Sequence, residues 1–248
     1  MNNKVSVITA SYNCAKFIEE SIKSVLNQTY DNLELIIVDD CSTDNTEEIV
    51  NEYIKKDSRI KFYRLNNNSG AAVARNKGLD EATGRFIAFL DSDDIWDKEK
   101  LEKQINFMKE KDCAISFTSY ELIDEENKRL DKIVRVVPSI DYKTLLKGNI
   151  LGCLTVIIDK SKLDFEIKMS GVRHEDYVLW LSILKRGYIA YGIDDVLAQY
   201  RKSLTSLSGN KLKSAMWTWN IYRNVEKIPL YKSIYYFINY GINGIKKS

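Results

Sequence analysis

Asp91, Asp93 and Asp94 fall within four residues at the end of the apolar run RFIAFLDSDD. Carboxylates crowded at a strand tip would repel an anionic ligand by several kcal/mol, on the order of Coulomb's law in a partly desolvated cleft. A hard divalent cation removes that conflict, because it takes oxygen ligands from carboxylates on one side and phosphate oxygens on the other. The one-residue spacing of Asp91 and Asp93 suits a metal-binding pair. Other polar clusters stand at comparable places: Thr9, Ala10, Ser11 and Tyr12 after the first apolar run, Asp39 and Asp40 after the second, and Ser69 and Gly70 before a helical segment. Tyr12 can stack on a base, Asp40 can accept from base or ribose donors, and Gly70 lets backbone approach a ligand closely. Together these groups suit a nucleotide.

Elements of alternating type must bring the clusters to one place. VSVITA (5–10), LELIIVD (33–39), IKFYRL (60–65) and RFIAFLD (85–91) read as strands, separated by segments of helical period. That order predicts βαβ units and a mostly parallel sheet, whose ligands bind beyond the carboxyl ends of the strands. Phe17, Ile18, Ile22, Val25 and Leu26 give the first helix an apolar face; Ser42, Asp44 or Asn45 caps the second; SGAAVARNKGLDEA makes the third. A helix is expected from about Lys98 to Lys111, then strands in CAISFTSYELID and LTVIID, a short helix in YKTLLKG, and an amphipathic helix in HEDYVLWLSILKRG. The expectation is an α/β fold, one Rossmann-like domain over 1–208 with a mostly parallel mixed sheet, followed by a helical, aromatic and basic tail over 209–248. Residues 1–95 would form its ligand-binding half and 96–208 its second half. Pro229, Lys232, Asn239 and Asn243 argue against a membrane-spanning tail. The tail suits either a membrane interface or packing on its own domain or a second copy.

Composition excludes several classes. With 37 Lys and Arg against 35 Asp and Glu, the net charge of +2 leaves no footprint for nucleic acid. Cys14, Cys41, Cys113 and Cys153 lack zinc or disulfide spacing, and MNNKVSVITASYN lacks the apolar core of a signal peptide, so a cytoplasmic location is expected. Neither GxxxxGK[ST] nor GxGxxG is present, which removes the common phosphate cradles.

The chain resembles family 2 glycosyltransferases of the GT-A fold, particularly bacterial enzymes of capsule, cell-wall polysaccharide and O-antigen assembly. The resemblance rests on VSVITASYNCAKFIEESIKSVLNQTY, LELIIVDDCSTDNT, NNNSGAAVARNKGLDEATGRFIAFLDSDD and HEDYVLWLSILKRG, and spans roughly 4 to 200. It implies that Asp91 and Asp93, the family's DxD with Ser92 between them, bind Mg²⁺ or Mn²⁺ and the donor diphosphate, with Asp93 the more direct ligand. It places Asp40 on the base-holding aspartate, Ala10 and Tyr12 beside it, and Gly70 and Arg75 near the donor. Asp176 falls on the catalytic base of inverting members, with Glu175 and Trp180 toward the acceptor. Tyr200 and Arg201 match a segment that closes over the diphosphate, although Ser203 stands where many relatives carry histidine. The implied partners are a nucleotide-sugar donor, with UDP as its carrier, and a glycan or lipid-linked acceptor; the tail's aromatic and basic residues add the expectation of peripheral contact with the inner face of the cell membrane.

Each candidate also has a purely structural reading. Asp93 or Asp94 would cap a helix beginning near Trp96, Asp44 would cap its own helix, and Glu175 with Asp176 would form a favourable acidic first turn. Tyr12 and Trp180 would pack, Arg75 would sit on a helix surface, and His174 would be a cap-region residue. Two rival functions stand beside the transferase: a sugar nucleotidyltransferase, against which TASYNCAKF lacks a Gly-rich basic signature, and a non-catalytic nucleotide-binding membrane module.

Overall fold

The computed structural model describes residues 3–202 and 211–246. The closing segment around Ser203 and the 208/209 boundary lie outside them. The first three strands, β1 (Val5–Ser11), β2 (Leu33–Asp39) and β3 (Ile60–Arg64), pair in parallel, and β1 pairs in parallel with β4 (Phe86–Phe89). Both faces of β2 are covered, so every residue of LELIIVD is buried and the strand reads as a continuous apolar run. Helices α1 (Ile18–Leu26) and α2 (Thr46–Ile54) cover one face through Ile18, Ile22, Val25 and Val50; α3 (Ala71–Glu81) covers the other, with Ala74 against Ile36 and Val38. Gly78 lets α3 sit close: a Cβ there would meet Ile8 at 2.5 Å.

The chain then departs from the expected order. Trp96 lies in the short strand β5 (Ile95–Trp96), and the next helix, α4, starts later at Lys100 and runs to Glu110. Strands β6 (Ile115–Ile123) and β7 (Arg129–Val134) form a hairpin, followed by β8 (Ser139–Ile140), α5 (Tyr142–Leu145), β9 (Ile157–Asp159) and α6 (Glu175–Leu184). A twelve-residue strand, β10 (Ala190–Arg201), adds to the strands that the sequence pattern predicts. It runs parallel to β6 with register shifts around Ile193 and Val196, where a bulge accommodates Asp194 and Asp195. The strand path is β3-β2-β1-β4-β9-β6-β10-β5, with β7 beside β6 and β8 beside β10. Six strands point one way and β5, β7, β8 and β9 oppose them, giving one mixed sheet that crosses both expected halves.

The tail folds back as two helices, α7 (Lys211–Asn220) and α8 (Leu230–Lys246), joined by a π-helical turn over Ile221–Val225. Ile221, Tyr222 and Ile228 are buried with Leu145, Leu146 and Tyr177, so the tail completes the core on the α6 side. Tyr222 donates from its hydroxyl to the Leu146 carbonyl at 2.5 Å. Among the described residues no helix is long and apolar enough to cross a membrane.

Candidate active site

Parallel register brings the ends of β1, β2 and β4 to one edge. Ser11 lies opposite Asp39, Ile8 lies opposite Phe89, and the chain leaves β4 directly into the turn Asp91–Ser92–Asp93–Asp94. Several bonds fix that turn's backbone. Ser21 donates to the Asp94 carbonyl at 2.6 Å, Ser92 and Cys14 pair at 2.8 Å, and the Asp94 N–H bonds back to the Asp91 carbonyl. From β10, Arg201 donates its backbone N–H to Asp94 Oδ1 at 2.8 Å and its Nε–H to the Asp93 carbonyl at 2.7 Å. The same buried guanidinium also reaches Asn127 and Glu20 and lies over the Phe17 ring. Arg201 thus stands at the end of a strand and holds the acidic turn in place, and Tyr200 beside it packs edge-on to Tyr120.

The three carboxylates have unequal surroundings. Asp91 takes an ion pair from Arg75. Asp94 is spent on β10, so its expected place at the start of a helix is corrected to a tie between the turn and that strand; its Oδ2 is buried without a partner and burial raises its pKa. Asp93 makes no side-chain bond to another described residue. Burial, with Asp91 adding repulsion, pushes it up to about 6.

Arg75 is the link to the second acidic group. Buried on α3, it pairs with Asp91 through Nη2 and with Glu175 through Nη1, the latter at 2.6 Å. This joins the β4 tip to the first turn of α6. Burial likewise pushes Asp176 up to about 6, opposed by the nearby Arg75 charge. Glu175 is thus held in an ion pair, while its neighbour Asp176 is raised by burial. His174 precedes them in the left-handed region at φ 61°, edge-on to Trp217 of α7 with ring centroids 5.4 Å apart. Trp180 is wholly buried edge-on to Phe89, in keeping with the packing reading.

The remaining predicted residues line the same edge. Tyr12 is 48% exposed at the end of β1, and Ala10 packs beside Val38. Asp40 accepts from the backbone N–H groups of Ser69 and Gly70, both at 2.7 Å, and so orders the loop entering α3. Gly70 has φ 90°, and the side where a Cβ would project is open space. Asp44 accepts from the N–H and hydroxyl of Thr46, doing the capping chemistry although Asn45 occupies the cap position. Sequence reasoning missed the positioning by Arg201, Ser21 and Cys14, and the left-handed Asn13, whose carboxamide accepts from the Thr43 N–H at 2.8 Å.

A divalent cation fits this edge at Asp93 with the free oxygen of Asp91, since a positive charge would relieve an unpaired, partly buried carboxylate. Among the described residues no cluster of three or more metal-ligating side chains exists, so the protein would supply a pair of oxygens and a phosphate-bearing ligand or water the rest.

The parallel strands, their covering helices and the mixed second half form an α/β scaffold that gathers the acidic turn and the second carboxylate at one sheet edge. The chain belongs to glycosyl transferase family 2, whose description it matches over residues 6–164, and it is a glycosyltransferase. It is 49% identical to TuaG of Bacillus subtilis (strain 168), a glycosyltransferase provisionally assigned to teichuronic acid biosynthesis, over 98% of this chain and 96% of that one. It is 45% identical to WfgD of Escherichia coli, a UDP-Glc:α-D-GlcNAc-diphosphoundecaprenol β-1,3-glucosyltransferase, over 98% and 94%. Among solved structures, S. aureus TarS 1–349 with UDP-GlcNAc superposes with a TM-score of 0.72 at 23% identity, covering 89% of this chain and 67% of that one. The Pyrobaculum calidifontis mannosyltransferase PcManGT with GDP-Man and Mn²⁺ does so with 0.72 at 20% identity, over 92% and 66%. The fold is therefore the GT-A arrangement that the resemblance implied, and the nucleotidyltransferase and non-catalytic alternatives fall away.

Proposed function

We propose that the enzyme transfers a sugar from a UDP-sugar to a hydroxyl of a lipid-linked saccharide, with inversion at the anomeric carbon, in the assembly of a surface polysaccharide. The observation that carries this reading is the bridge by which buried Arg75 pairs with Asp91 of the acidic turn and with Glu175 beside Asp176, bringing two groups of carboxylates to one edge. The names of WfgD and WfaP, at 45% and 39% identity, support UDP-glucose and a diphospho-lipid acceptor as the first substrates to test.

Tyr12 and Ala10 would face the base, Asp40 would hold the loop at Ser69 and Gly70 that borders the donor, and Ser92 would keep the acidic turn in shape. Asp91 and Asp93 would hold Mg²⁺ or Mn²⁺, which when bound offsets the charge of the departing diphosphate as a Lewis acid. Asp176 would take the proton of the attacking hydroxyl, because a sugar alcohol is a weak nucleophile near neutral pH. Glu175, tied to Arg75, would orient that first helical turn. Attack from the side opposite the leaving group inverts the anomeric centre.

The test is release of UDP and product mass from a nucleotide-sugar panel with Mn²⁺ and GlcNAc-diphospho-lipid. Asp176→Asn is expected to lower kcat at least 100-fold with donor binding intact, in line with general-base contributions. Asp93→Asn is expected to lose metal-dependent donor binding. No transfer with any donor, or full activity in Asp176→Asn, would overturn the reading.

A further inference from the structure

Among the described residues, none covers one face of α8. Ser233, Tyr236, Phe237, Tyr240 and Asn243 turn toward the protein, where Phe237 meets Trp219 and Asn243 donates to the Lys147 carbonyl. At intervals of three and four residues on the opposite face stand Tyr231 (70% exposed), Ile234, Tyr235, Ile238 (57%) and Ile242. A stripe of this length on a surface helix has no core to enter, and contiguous exposed apolar patches mark interaction sites.

Charge selects the occupant. Residues 211–248 carry seven Lys or Arg against one acid, Glu226, while the chain as a whole has a net charge of +2. The tail is therefore +6 and the preceding 210 residues are −4. Glu226 is already engaged by Lys185 at 2.8 Å and Tyr142 at 2.6 Å. Lys227 and Lys232 are exposed next to the stripe. A second copy docking through the same stripe would set one basic tail against another without an available acid to offset them. An anionic bilayer satisfies both features, taking the isoleucines and tyrosines into its interface and the lysines at its headgroups.

We infer that the uncovered face of α8 is a docking surface for an anionic lipid bilayer, on which the enzyme lies without spanning it. Trp217 of α7 packs on His174 beside Glu175 and Asp176, so docking through the tail would hold the base near the bilayer. That catalytic consequence rests on the lipid-linked acceptor proposed above; the docking itself does not.

The full chain is tested by co-sedimentation with vesicles of phosphatidylcholine alone and of phosphatidylcholine with phosphatidylglycerol. Binding to the anionic vesicles is expected, weakening with salt, and falling more than tenfold in Ile234→Ser/Ile238→Ser through lost apolar burial. Lys227→Gln/Lys232→Gln is expected to lower it roughly ten- to thirtyfold. Circular dichroism should show both variants folded, since all four side chains are exposed. Absence of binding to anionic vesicles, or equal binding by the isoleucine variant, overturns the proposal. So does a dimer in sedimentation velocity that the isoleucine variant abolishes, without vesicle binding, which would assign the face to a second copy. Transfer to a short-chain, water-soluble acceptor is measured on the same preparations. Its persistence without vesicle binding sinks docking alone, and its absence beside vesicle binding sinks the reaction alone.

Discussion

Asp93 and Asp176 share an elevated pKa but differ in what should move it. Both stand at about 6, chiefly through burial, so kcat/KM is expected to fall on the acid side near pH 6. Saturating Mn²⁺ favours ionised Asp93 and should move its contribution to lower pH, leaving an acid limb that belongs to Asp176; a limb unchanged in Asp176→Asn would refute that assignment. The stability effect has the opposite sense to that of a salt-bridged carboxylate. An acid whose folded pKa is raised binds more protons in the native state, so its stabilising contribution is full below about pH 4 and is lost as pH rises through 6. Asp93→Asn should therefore raise neutral-pH stability by roughly 1–2 kcal/mol after allowance for partial exposure, while abolishing metal-dependent binding. Asp91, Asp93 and Asp176 were legible because acids at a strand tip or helix start stand out against apolar runs. Arg75 was legible as a position and its bridging was not: α3 has small residues, Ala74 and Gly78, where an amphipathic helix would carry large ones, and only their close approach to the sheet buries the arginine.

Among the elements, α4 carries a wholly buried lysine. Lys100 donates to Gln104 Oε1 at 2.6 Å and to the Thr155 carbonyl at 3.2 Å, beside the Trp96 ring, and burial pulls it down to about 7. The unfolded chain holds that proton until about pH 10.4, so between pH 7 and that value the native state binds fewer protons and stability gains with rising pH. Denaturant titrations of the wild type and Lys100→Met should diverge by up to about 1.4 kcal/mol per pH unit across this window and run parallel below it. Parallel curves throughout would mean that the lysine is not held neutral. The buried parallel strands were readable as apolar runs, whereas β10 was not. Its sequence AYGIDDVLAQYR breaks the alternation with Gly192, Asp194 and Asp195, and the bulge that absorbs them depends on β6 as a neighbour. Missing β10 also hid the tie that Arg201, named only as part of a closing segment, makes to Asp93 and Asp94.

Over the whole molecule the tail is structural as well as exposed. Ending the chain after Glu226 would remove Ile228 from the core together with Phe237 and the Asn243 bond to the Lys147 carbonyl. Such a truncation should cost roughly 3–5 kcal/mol and lower Tm by on the order of 10 °C, measured by calorimetry. An unchanged Tm would show the tail to be dispensable for folding. The amphipathic helix was visible in the sequence, but which face it buries depends on Tyr142, Lys147 and Trp219, residues supplied by other elements. The division of charge between body and tail has a separate consequence at the chromatography column. Ion-exchange resins respond to local patches as well as to net charge. About one pH unit above the sequence pI of 8.1 the protein should be a net anion yet remain on a sulfonate resin through its tail, with Lys227→Gln/Lys232→Gln eluting earlier. In orientation it would behave as a compass needle, basic end toward the anionic surface, before any apolar side chain makes contact.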